Sequence, residues 1–587
     1  MMGFLDSILL QAAASMGLIL LTWVVVAACC LGWGRIGLAA CTLRVNGAGG
    51  VWDTFWLGWV IFLLILQVVH LAAPMNGIPV AVATAVGGLG WLARVGPYRP
   101  RLGLPPMGKV GWALTAIGAG VWLANRSLGT VNVYDAGLYH LSAIRWAVEY
   151  PIVTGLANLH SRLAMFSPYF LYLAAVAGAG WGEFGGQVGA GLLLWVSISA
   201  GLYSLWRLVT HRGEIRATDV FCSLFLLPLV RLAFPYAYGP SPDLPVFLYG
   251  FVTAVGVVRL LEPRRPAEAG RFLVLATALM ALSGITMKLS YGPLAAGVLA
   301  VLAWIAHRRR LFLGAQHQMA RQTGAAAALA LVVIGVWLVR NVIVSGYPLY
   351  PLTVFRGHLS WALPEDRIRS DAAWIASWAR KPGEQPARVL RNWDWLGSWW
   401  HGIVAVENCR FDVLYPLVVF AAGAFTWSLW GRRLSATARI SPLLLLPGGI
   451  AALAWFALAP EPRLAGAGLW WLGIGALSGG VLGVVRGRNV AARGLAVALL
   501  LAIAATHWSE EKLVNPGPFR GFQPAHAAAL VVVQTDSGLE VFVPRAGDRC
   551  WYAALPCTPN PDPALTLLRR GDLSSGFVLD EEASVQP

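Results

Sequence analysis

The chain has 587 residues, of which 57% are hydrophobic and only 12% are charged, and its mean hydropathy is +0.64. A soluble domain carries about twice that charged fraction, so the composition excludes an ordinary soluble protein. The net charge of +16 is distributed in short clusters between apolar runs rather than on one basic face, which excludes a nucleic-acid partner and is typical of membrane topology signals.

Apolar runs of roughly 20 residues, the length of a membrane-spanning helix, recur along nearly the whole sequence. The first run, residues 7–33, is too long for a signal-peptide core and lacks a basic start, so we interpret it as a span. The sequence therefore predicts an all-α polytopic membrane protein with about fourteen transmembrane helices. The predicted spans are residues 8–33, 54–73, 77–95, 108–127, 187–207, 217–235, 243–262, 270–287, 290–306, 325–344, 413–431, 441–459, 466–485 and 490–507.

Clusters of Lys and Arg predict the orientation of these spans, because cytoplasmic loops are enriched in both residues. Counting the spans places all of the clusters on one side, which we expect to be the cytoplasm. The clusters are Arg94/Arg99/Arg101/Lys109, Arg207/Arg212/Arg216, Arg259/Arg264/Arg265/Arg271, Arg308/Arg309/Arg310/Arg321, Arg432/Arg433/Arg439 and Arg486/Arg488/Arg493. We accordingly expect N-terminal transmembrane helices in 1–127, a transmembrane core in 128–507 with outer loops 128–186 and 345–412, and an outer tail in 508–587.

The first outer loop contains the segment YDAGLYH, in which Asp135 and Tyr139 are four residues apart and would share one face of a helix. His140 lies beside them. A carboxylate at the mouth of a helix bundle is costly unless it is paired or used, whereas the alternative role for Asp135 is to cap the helix. The same loop adds Asn158, His160 and Arg162 as candidate substrate contacts.

Residues 164–181 in this loop (AMFSPYFLYLAAVAGAGW) are apolar enough to cross the membrane. A full crossing would reverse the orientation of all later spans and place several basic clusters outside. We therefore interpret this segment as a re-entrant or membrane-surface helix.

A second carboxylate follows in the short outer segment SPDLP. Asp243 stands where a helix begins, so it is either a capping or first-turn residue or a functional acid. Two acids at helix mouths on the same side of the membrane favour a functional role for both.

Basic and polar residues at predicted outer helix ends provide the complementary charge. Lys288 interrupts an apolar stretch, Arg340 ends a span and Arg463 lies in the turn APEPRLAG. Snorkelling to the interface explains any one of them, but arginine also matches phosphate geometry, which favours contact with a lipid-linked phosphate. The candidate contacts beside Arg340 are Asn341 and Tyr347.

Metal binding is a weaker hypothesis for this sequence. A divalent ion (Mg or Mn) shared by Asp135, His140 and a phosphate group remains open, but the HExxH motif is absent. The Gly-x-Ser-x-Gly motif of serine hydrolases is absent as well.

The tail and the loop 345–412 have their own structural signals. The loop is rich in Trp and in both signs of charge, which predicts short amphipathic helices on the membrane surface. In the tail, ALVVVQTDSGLEVFVPRAG predicts two strands joined at 536–538. Cys550 and Cys557 favour a disulfide over a metal pair, because no His or second Cys pair is nearby, and a disulfide requires an oxidising compartment such as the periplasm.

These residues give the chain a resemblance to the GT-C superfamily of integral-membrane glycosyltransferases, which carry a catalytic Asp or Glu in a large outer loop. Asp135 and Tyr139 match that pattern. The chain is also similar to a family of bacterial multi-span membrane proteins with GT-C-like organisation. The segments that carry this similarity are YDAGLYHLSAIRW, GLANLHSRLAMFSPYF, SPDLP, WLVRNVIVSGYPLYP, APEPRLAG and GDRCWYAALPCTP.

The resemblance implies an enzyme of the bacterial inner (plasma) membrane with its main loops and C-terminus in the periplasm. It would transfer a sugar, with inversion, from a polyprenyl-phosphate-linked donor to a polysaccharide, lipid or protein acceptor in the cell envelope. Asp135 would be the general base and arginines would stabilise the departing phosphate.

Two other functional classes fit a membrane protein of this kind. A transporter or flippase of a lipid-linked saccharide should show internal repeats and polar groups near the bilayer midplane. A non-catalytic envelope-assembly protein would use its Trp-rich loops for docking. The absence of a recognisable repeat and the concentration of polar groups in the outer loops favour the enzyme.

Overall fold

The computed structural model describes residues 2–40, 50–92, 106–210, 215–262, 266–312, 317–355, 357, 359–430, 441–485, 489–508 and 526–580. Within these ranges the chain is helical up to residue 508 and forms short strands only in the tail, which confirms the all-α class. Several residues of the basic clusters lie outside the described residues, namely Arg94, Arg99, Arg101, Arg212, Arg264, Arg265, Arg432, Arg433, Arg439, Arg486 and Arg488.

Helices α1 to α14 cover the first 345 residues. They are α1 (Met2–Ala40), α2 (Gly50–His70), α3 (Ile78–Leu92), α4 (Pro106–Ser127), α5 (Leu141–Glu149), α6 (Leu156–Leu159), α7 (Pro168–Val176), α8 (Gly185–Thr210), α9 (Ala217–Leu224), α10 (Leu226–Tyr236), α11 (Asp243–Leu261), α12 (Ala267–Met287), α13 (Gly292–Arg308) and α14 (His317–Ser345). The later helices are α15 (Glu365–Trp378), α16 (Pro386–Val389), α17 (Trp395–Ala405), α18 (Glu407–Cys409), α19 (Tyr415–Trp430), α20 (Leu446–Leu458), α21 (Pro462–Val485) and α22 (Asn489–Trp508).

Ten helical stretches among the described residues are long and apolar enough to cross a membrane, so the chain is a multi-pass membrane protein. They are Leu10–Ala40, Gly50–His70, Pro168–Thr210, Ala217–Tyr236, Asp243–Leu261, Ala267–Met287, Leu289–Arg308, Met319–Ser345, Glu407–Trp430 and Pro462–Val485.

The structure does not support the predicted number of fourteen spans. Three predicted spans correspond to the shorter apolar helices Ile78–Leu92, Pro442–Leu458 and Arg493–Ile503. Of these, Ile78–Leu92 has 15 residues and extends only about 22 Å at 1.5 Å per residue, whereas the hydrocarbon core is about 30 Å thick. Arg493–Ile503 is the apolar part of α22, which as a whole has 20 residues. The fourth, 108–127, is the helix α4, whose last turn contains the polar residues Asn125 and Arg126.

The transmembrane helices approach each other closely where glycines line the crossing. In the packing of α19 against α21, a Cβ atom on Gly423 would lie 2.4 Å from the backbone nitrogen of Leu477, and one on Gly473 would lie 2.7 Å from the Pro416 carbonyl oxygen. Such contacts leave no room for a side chain. Small residues therefore allow the backbones to pack directly, as is common in membrane helix pairs.

The apolar segment before α8 folds back onto that helix. It consists of α7 and a five-residue π-helical turn that ends at a kink, where Gly180 has a φ of 108°. The Tyr172 hydroxyl donates to the Gly189 carbonyl at 3.0 Å. Together α7 and this turn extend about 21 Å, which is less than the thickness of the hydrocarbon core. The re-entrant interpretation of 164–181 stays a prediction.

Residues 526–580 form a small unit that we call the C-terminal cap. Strands β1 (Leu530–Gln534) and β2 (Glu540–Pro544) pair antiparallel, which confirms the hairpin predicted around 536–538. Strands β3 (Leu565–Leu567) and β4 (Phe577–Leu579) form a second pair. The predicted disulfide between Cys550 and Cys557 is present.

The cap packs on the loops at one end of the helix bundle, which we call the loop face. The Phe577 amide donates to the Thr154 carbonyl at 2.9 Å, and Arg367 of α15 pairs with Asp562 of the cap. In the loop 345–412, the predicted short helices are present as α15 to α18. The loop face therefore consists of two long loops and the cap lying on them.

Candidate functional site

Four of the predicted site residues meet at the loop face. Arg463 Nη1 donates to Asp135 Oδ2 and lies 4.0 Å from Asp243 Oδ2. Lys288 Nζ donates to the other oxygen of Asp243, Oδ1, at 2.5 Å. We call these residues, together with Glu461, the charge cluster. Two carboxylates from distant parts of the chain thus share one arginine.

Helix ends bring these side chains together. Asp243 is the first residue of α11, Lys288 directly follows α12, and Arg463 is the second residue of α21. Since these helices end at the same face, their terminal side chains converge there. The arrangement follows from the topology of the bundle rather than from sequence proximity.

The capping role considered for Asp135 does not fit the structure. Asp135 precedes the π-helical turn Ala136–His140, but its side chain makes no capping hydrogen bond. Its carboxylate instead faces Arg463. Asp243 is a first-turn residue of α11, where a negative charge interacts favourably with the helix dipole, and the Ser241 hydroxyl donates to it at 3.3 Å.

Two further acids near the cluster were not singled out in the sequence. Glu461 Oε1 lies 3.6 Å from Arg463 Nε. Asp412 lines a cavity of about 20 Å³ together with Asp243 and Arg463, which is room for about one water molecule. Two sequence features could have indicated these acids. Glu461 lies inside the turn APEPRLAG, and Asp412 is the single acid that interrupts the apolar run after Arg410.

The environment shifts the pKa values of Asp135 and Glu461 in opposite directions. Burial raises the pKa of Asp135, but the charge and hydrogen bond of Arg463 and the charge of Lys288 outweigh it and hold this pKa below its ordinary value. For Glu461, burial and the neighbouring Asp243 and Asp135 carboxylates raise the pKa despite Arg463. Asp135 is therefore ionised at neutral pH, while Glu461 binds a proton more readily. Such a divergence is typical of acid–base sites.

His140 and Tyr139 form an apolar wall behind Asp135. The His140 side chain is buried, with its ring 4.4 Å from the Tyr139 ring and 5.3 Å from the Phe170 ring. Burial lowers the pKa of His140 to about 3, so this histidine is neutral, and its Nδ1 has no hydrogen-bond partner. Burial and the Asp135 charge raise the pKa of Tyr139.

Asp135 and His140 do not by themselves make up a metal-ligand set. In the part of the chain that the structure describes, no group of three or more His, Cys, Asp or Glu residues is arranged to hold a metal ion. The Arg463 guanidinium supplies the positive charge at the Asp135 carboxylate. The metal hypothesis therefore receives no support from the geometry.

Arg340 was predicted to contact substrate, but the structure places it among the helices. Its Nη1 donates to the Gln67 carbonyl at 2.9 Å, and its Nη2 lies 2.7 Å from His70 Nδ1. The guanidinium also stacks 4.4 Å from the Phe166 ring. With 1% of the residue exposed, Arg340 has no surface left for a substrate and instead holds α14 against α2.

Other predicted contacts bind backbone carbonyls and stabilise the loops. Asn158 Nδ2 donates to Trp361 and Phe577 at 2.9 and 3.1 Å. Asn341 Nδ2 donates to Pro348 at 2.9 Å, and the Tyr347 hydroxyl donates to Leu363 at 3.1 Å. These three side chains therefore have structural roles.

His160 and Arg162 are half-buried in the loop that follows α6. Burial and the neighbouring Arg162 charge lower the pKa of His160 to about 4. Arg162 Nη1 lies 3.9 Å from Met165 Sδ. Neither residue makes an ion pair with the charge cluster, although the Arg162 charge acts on the Tyr139 hydroxyl.

A family model described as Domain of unknown function (DUF8201) matches residues 16–470, which is more than half of the chain. The matched region includes all five residues of the charge cluster and ends before the C-terminal cap. No curated protein and no solved structure matches the chain.

Proposed function

We propose that this chain, which belongs to the family described as Domain of unknown function (DUF8201), is a GT-C-type membrane glycosyltransferase. It transfers a sugar from a polyprenyl-phosphate-linked donor to an outer-face acceptor, which is a polysaccharide, lipid or protein. The observation that carries the proposal is the convergence of Asp135 and Asp243 on Arg463 at the loop face. Intramembrane and membrane-mouth charges of this kind mark functional sites.

Asp135 is the general base of the proposed reaction. It is ionised at neutral pH because of Arg463, and its side chain is 18% exposed, so an acceptor hydroxyl can approach it. The acceptor oxygen forms a bond to the anomeric carbon of the donor sugar while the bond from that carbon to the phosphate oxygen breaks. The hydroxyl proton goes to Asp135, and the sugar configuration inverts.

Arg463 and Lys288 complement the leaving group. The bond that breaks leaves its electron pair on the polyprenyl phosphate, whose negative charge increases in the transition state. Arg463 carries a planar fork of donors that suits phosphate, and more than a third of its side chain is exposed. Asp243 orients Lys288 toward the same region. Preorganised cations of this kind stabilise developing charge.

We further propose that the loop face lies on the periplasmic side of a bacterial inner membrane. A lipid-linked donor presents its phosphate at the membrane surface, and the helix ends of the charge cluster lie at the corresponding level of the bundle. The Cys550–Cys557 disulfide in the cap supports an oxidising compartment for this face.

The proposal is tested by replacing Asp135 in a strain whose own gene is deleted. Asp135→Asn keeps the size of the side chain and removes the base. Asp366→Asn is the matched control, because it makes the same chemical change at an exposed residue of α15. We expect the wild type and Asp366→Asn to restore the envelope glycan, measured by mass spectrometry of released sugars, and Asp135→Asn to fail at equal protein level.

Two results would contradict the enzyme. Full restoration by Asp135→Asn would remove Asp135 from the mechanism and favour a transporter or an assembly protein. A deletion strain with unchanged envelope glycans would exclude glycan transfer altogether.

A further inference from the structure

The C-terminal cap is bonded directly to the segment that carries Asp135. The Trp551 amide donates to the Gly137 carbonyl at 2.8 Å, and the Ser142 hydroxyl donates to the Trp551 carbonyl at 3.2 Å. Arg145 Nη1 donates to the Tyr552 carbonyl at 2.8 Å. Three hydrogen bonds therefore join two short segments that are more than 400 positions apart in the sequence.

The Trp551 ring packs flat against the backbone two residues after Asp135. A Cβ atom on Gly137 would lie 2.9 Å from the Trp551 ring and 3.0 Å from the Arg549 side chain. The indole is buried, with 5% of the residue exposed. The contact therefore leaves no room for a side chain at position 137, and it confines the turn Ala136–His140.

A second set of contacts lies on the other side of Asp135 in the sequence. The Tyr134 hydroxyl donates to Asp548, and the Arg549 guanidinium lies 5.6 Å from the Tyr134 ring and 5.2 Å from the Trp551 ring. Cap residues thus hold the positions immediately before and after Asp135. On the bundle side, Arg463 binds its carboxylate.

The disulfide closes the loop that presents Trp551. Cys550 precedes Trp551, and its partner Cys557 forms a bridge with Phe542 of β2. Trp551 itself has a φ of 53°, a left-handed conformation that is rare for a bulky residue and persists only where the surroundings impose it. The cross-link and the strand anchor supply that constraint.

We propose that Trp551, held by the Cys550–Cys557 disulfide, is a positioning residue for Asp135. Its indole and amide fix the turn Ala136–His140, so that the Asp135 carboxylate remains aimed at Arg463. The site is then assembled fully only in the oxidised protein. The catalytic consequence rests on the proposed function, whereas the positioning itself does not.

Hydrogen exchange on the full-length protein in lipid nanodiscs measures the positioning directly. We expect Trp551→Ala, the double variant Cys550→Ser/Cys557→Ser, and wild type treated with a phosphine reductant to raise amide exchange in 136–142 by about tenfold or more. Trp551→Phe retains a ring and should restore most of the protection. Arg569→Ala is the control, because its side chain is 76% exposed and pairs with Asp572 within the cap.

Complementation of the deletion strain gives the second measurement. We expect Trp551→Ala to reduce the envelope glycan at equal protein level, Trp551→Phe to restore it, and Arg569→Ala to match wild type. Unchanged exchange in 136–142 after loss of Trp551 or of the disulfide would overturn the positioning. Increased exchange in 136–142 together with a wild-type level of envelope glycan would show that Asp135 does not need Trp551 to act in the proposed reaction.

These outcomes are separable from those that test the enzyme. If Asp135→Asn restores the glycan, the proposed function fails while the exchange result still stands. If Asp135→Asn abolishes the glycan and Trp551→Ala does not alter exchange, the enzyme stands and the positioning fails.

Discussion

Arg463 donates to the carboxylate of Asp135, a residue that lies 328 positions earlier in the chain. The same Nη1 atom lies 4.0 Å from Asp243. One guanidinium therefore interacts with two acids, the second of which also binds Lys288, and Arg463, Asp135 and Asp243 form a single coupled unit rather than two independent ion pairs.

Arg463→Met should destabilise the protein because it leaves both acids without their shared cation. We expect a loss of about 1–3 kcal/mol, below the cost of breaking a fully buried pair, since more than a third of the Arg463 side chain is exposed to solvent. Thermal unfolding, monitored by tryptophan fluorescence, measures this loss of stability. In the double variant Arg463→Met/Asp135→Asn, the combined loss should be smaller than the sum of the two single losses; simple additivity would show that the unit is not coupled.

Asp243 and Lys288 should show a measurable interaction energy. Asp243→Asn, Lys288→Gln and the double variant form a double-mutant cycle, for which we expect about 0.5–3 kcal/mol of coupling. Asp243 is almost fully buried and bonds Lys288 at 2.5 Å. The exposed pair Arg369–Glu365 is the control and should show far less coupling; equal values for the two pairs would contradict the buried interaction.

Acidification should destabilise the protein from about pH 6.5 downward because His140 is neutral when folded. The unfolded chain binds a proton at this histidine near pH 6.5, whereas the folded chain does so only at about pH 3. Stability is therefore lost as the pH falls through this window, by roughly 1.4 kcal/mol per pH unit. Asp135, whose pKa is lowered, adds its own loss only below about pH 4.

His140→Phe tests this assignment, because it keeps an aromatic ring against Phe170 and removes the proton site. We expect a flatter dependence of the unfolding temperature on pH between 6.5 and 4 than in wild type. His401→Gln, a change at an exposed histidine, should leave the dependence as it is. If the unfolding temperature of His140→Phe depends on pH as that of wild type does, His140 does not control stability in this pH range.

Arg340→Met should lower the unfolding temperature without altering the proposed glycan transfer at temperatures where the variant is folded. The substitution removes the bonds to Gln67 and His70 and leaves their buried acceptors unpaired, at about 1–3 kcal/mol. Transfer per folded molecule in membranes is the second measurement. A selective loss of transfer with normal stability would return Arg340 to the substrate site.

Local sequence patterns predicted the elements that depend on neighbouring residues. The Cys550–Cys557 pair and the turn at 536–538 are separated by few residues, so spacing and turn chemistry were sufficient. The sequence also predicted Asp135, Asp243 and Arg463 at helix ends on the same side of the membrane, whereas their contact is found only in the structure.

Arg340 and Arg463 show where such patterns fail. Both are arginines at the predicted outer end of a span, yet one packs on Gln67 and His70 while the other binds two acids. The difference depends on which helices are neighbours, and this information is absent from the local sequence.

The contact between Trp551 and the Asp135 segment also has a consequence for biosynthesis. Ser142 is synthesised 409 residues before its partner Trp551, which corresponds to about 20–80 s at ordinary translation rates. During that interval the turn beside Asp135 lacks the support of the cap. The contacts that hold this turn are therefore formed only after Trp551 and the two cysteines of its loop have been synthesised.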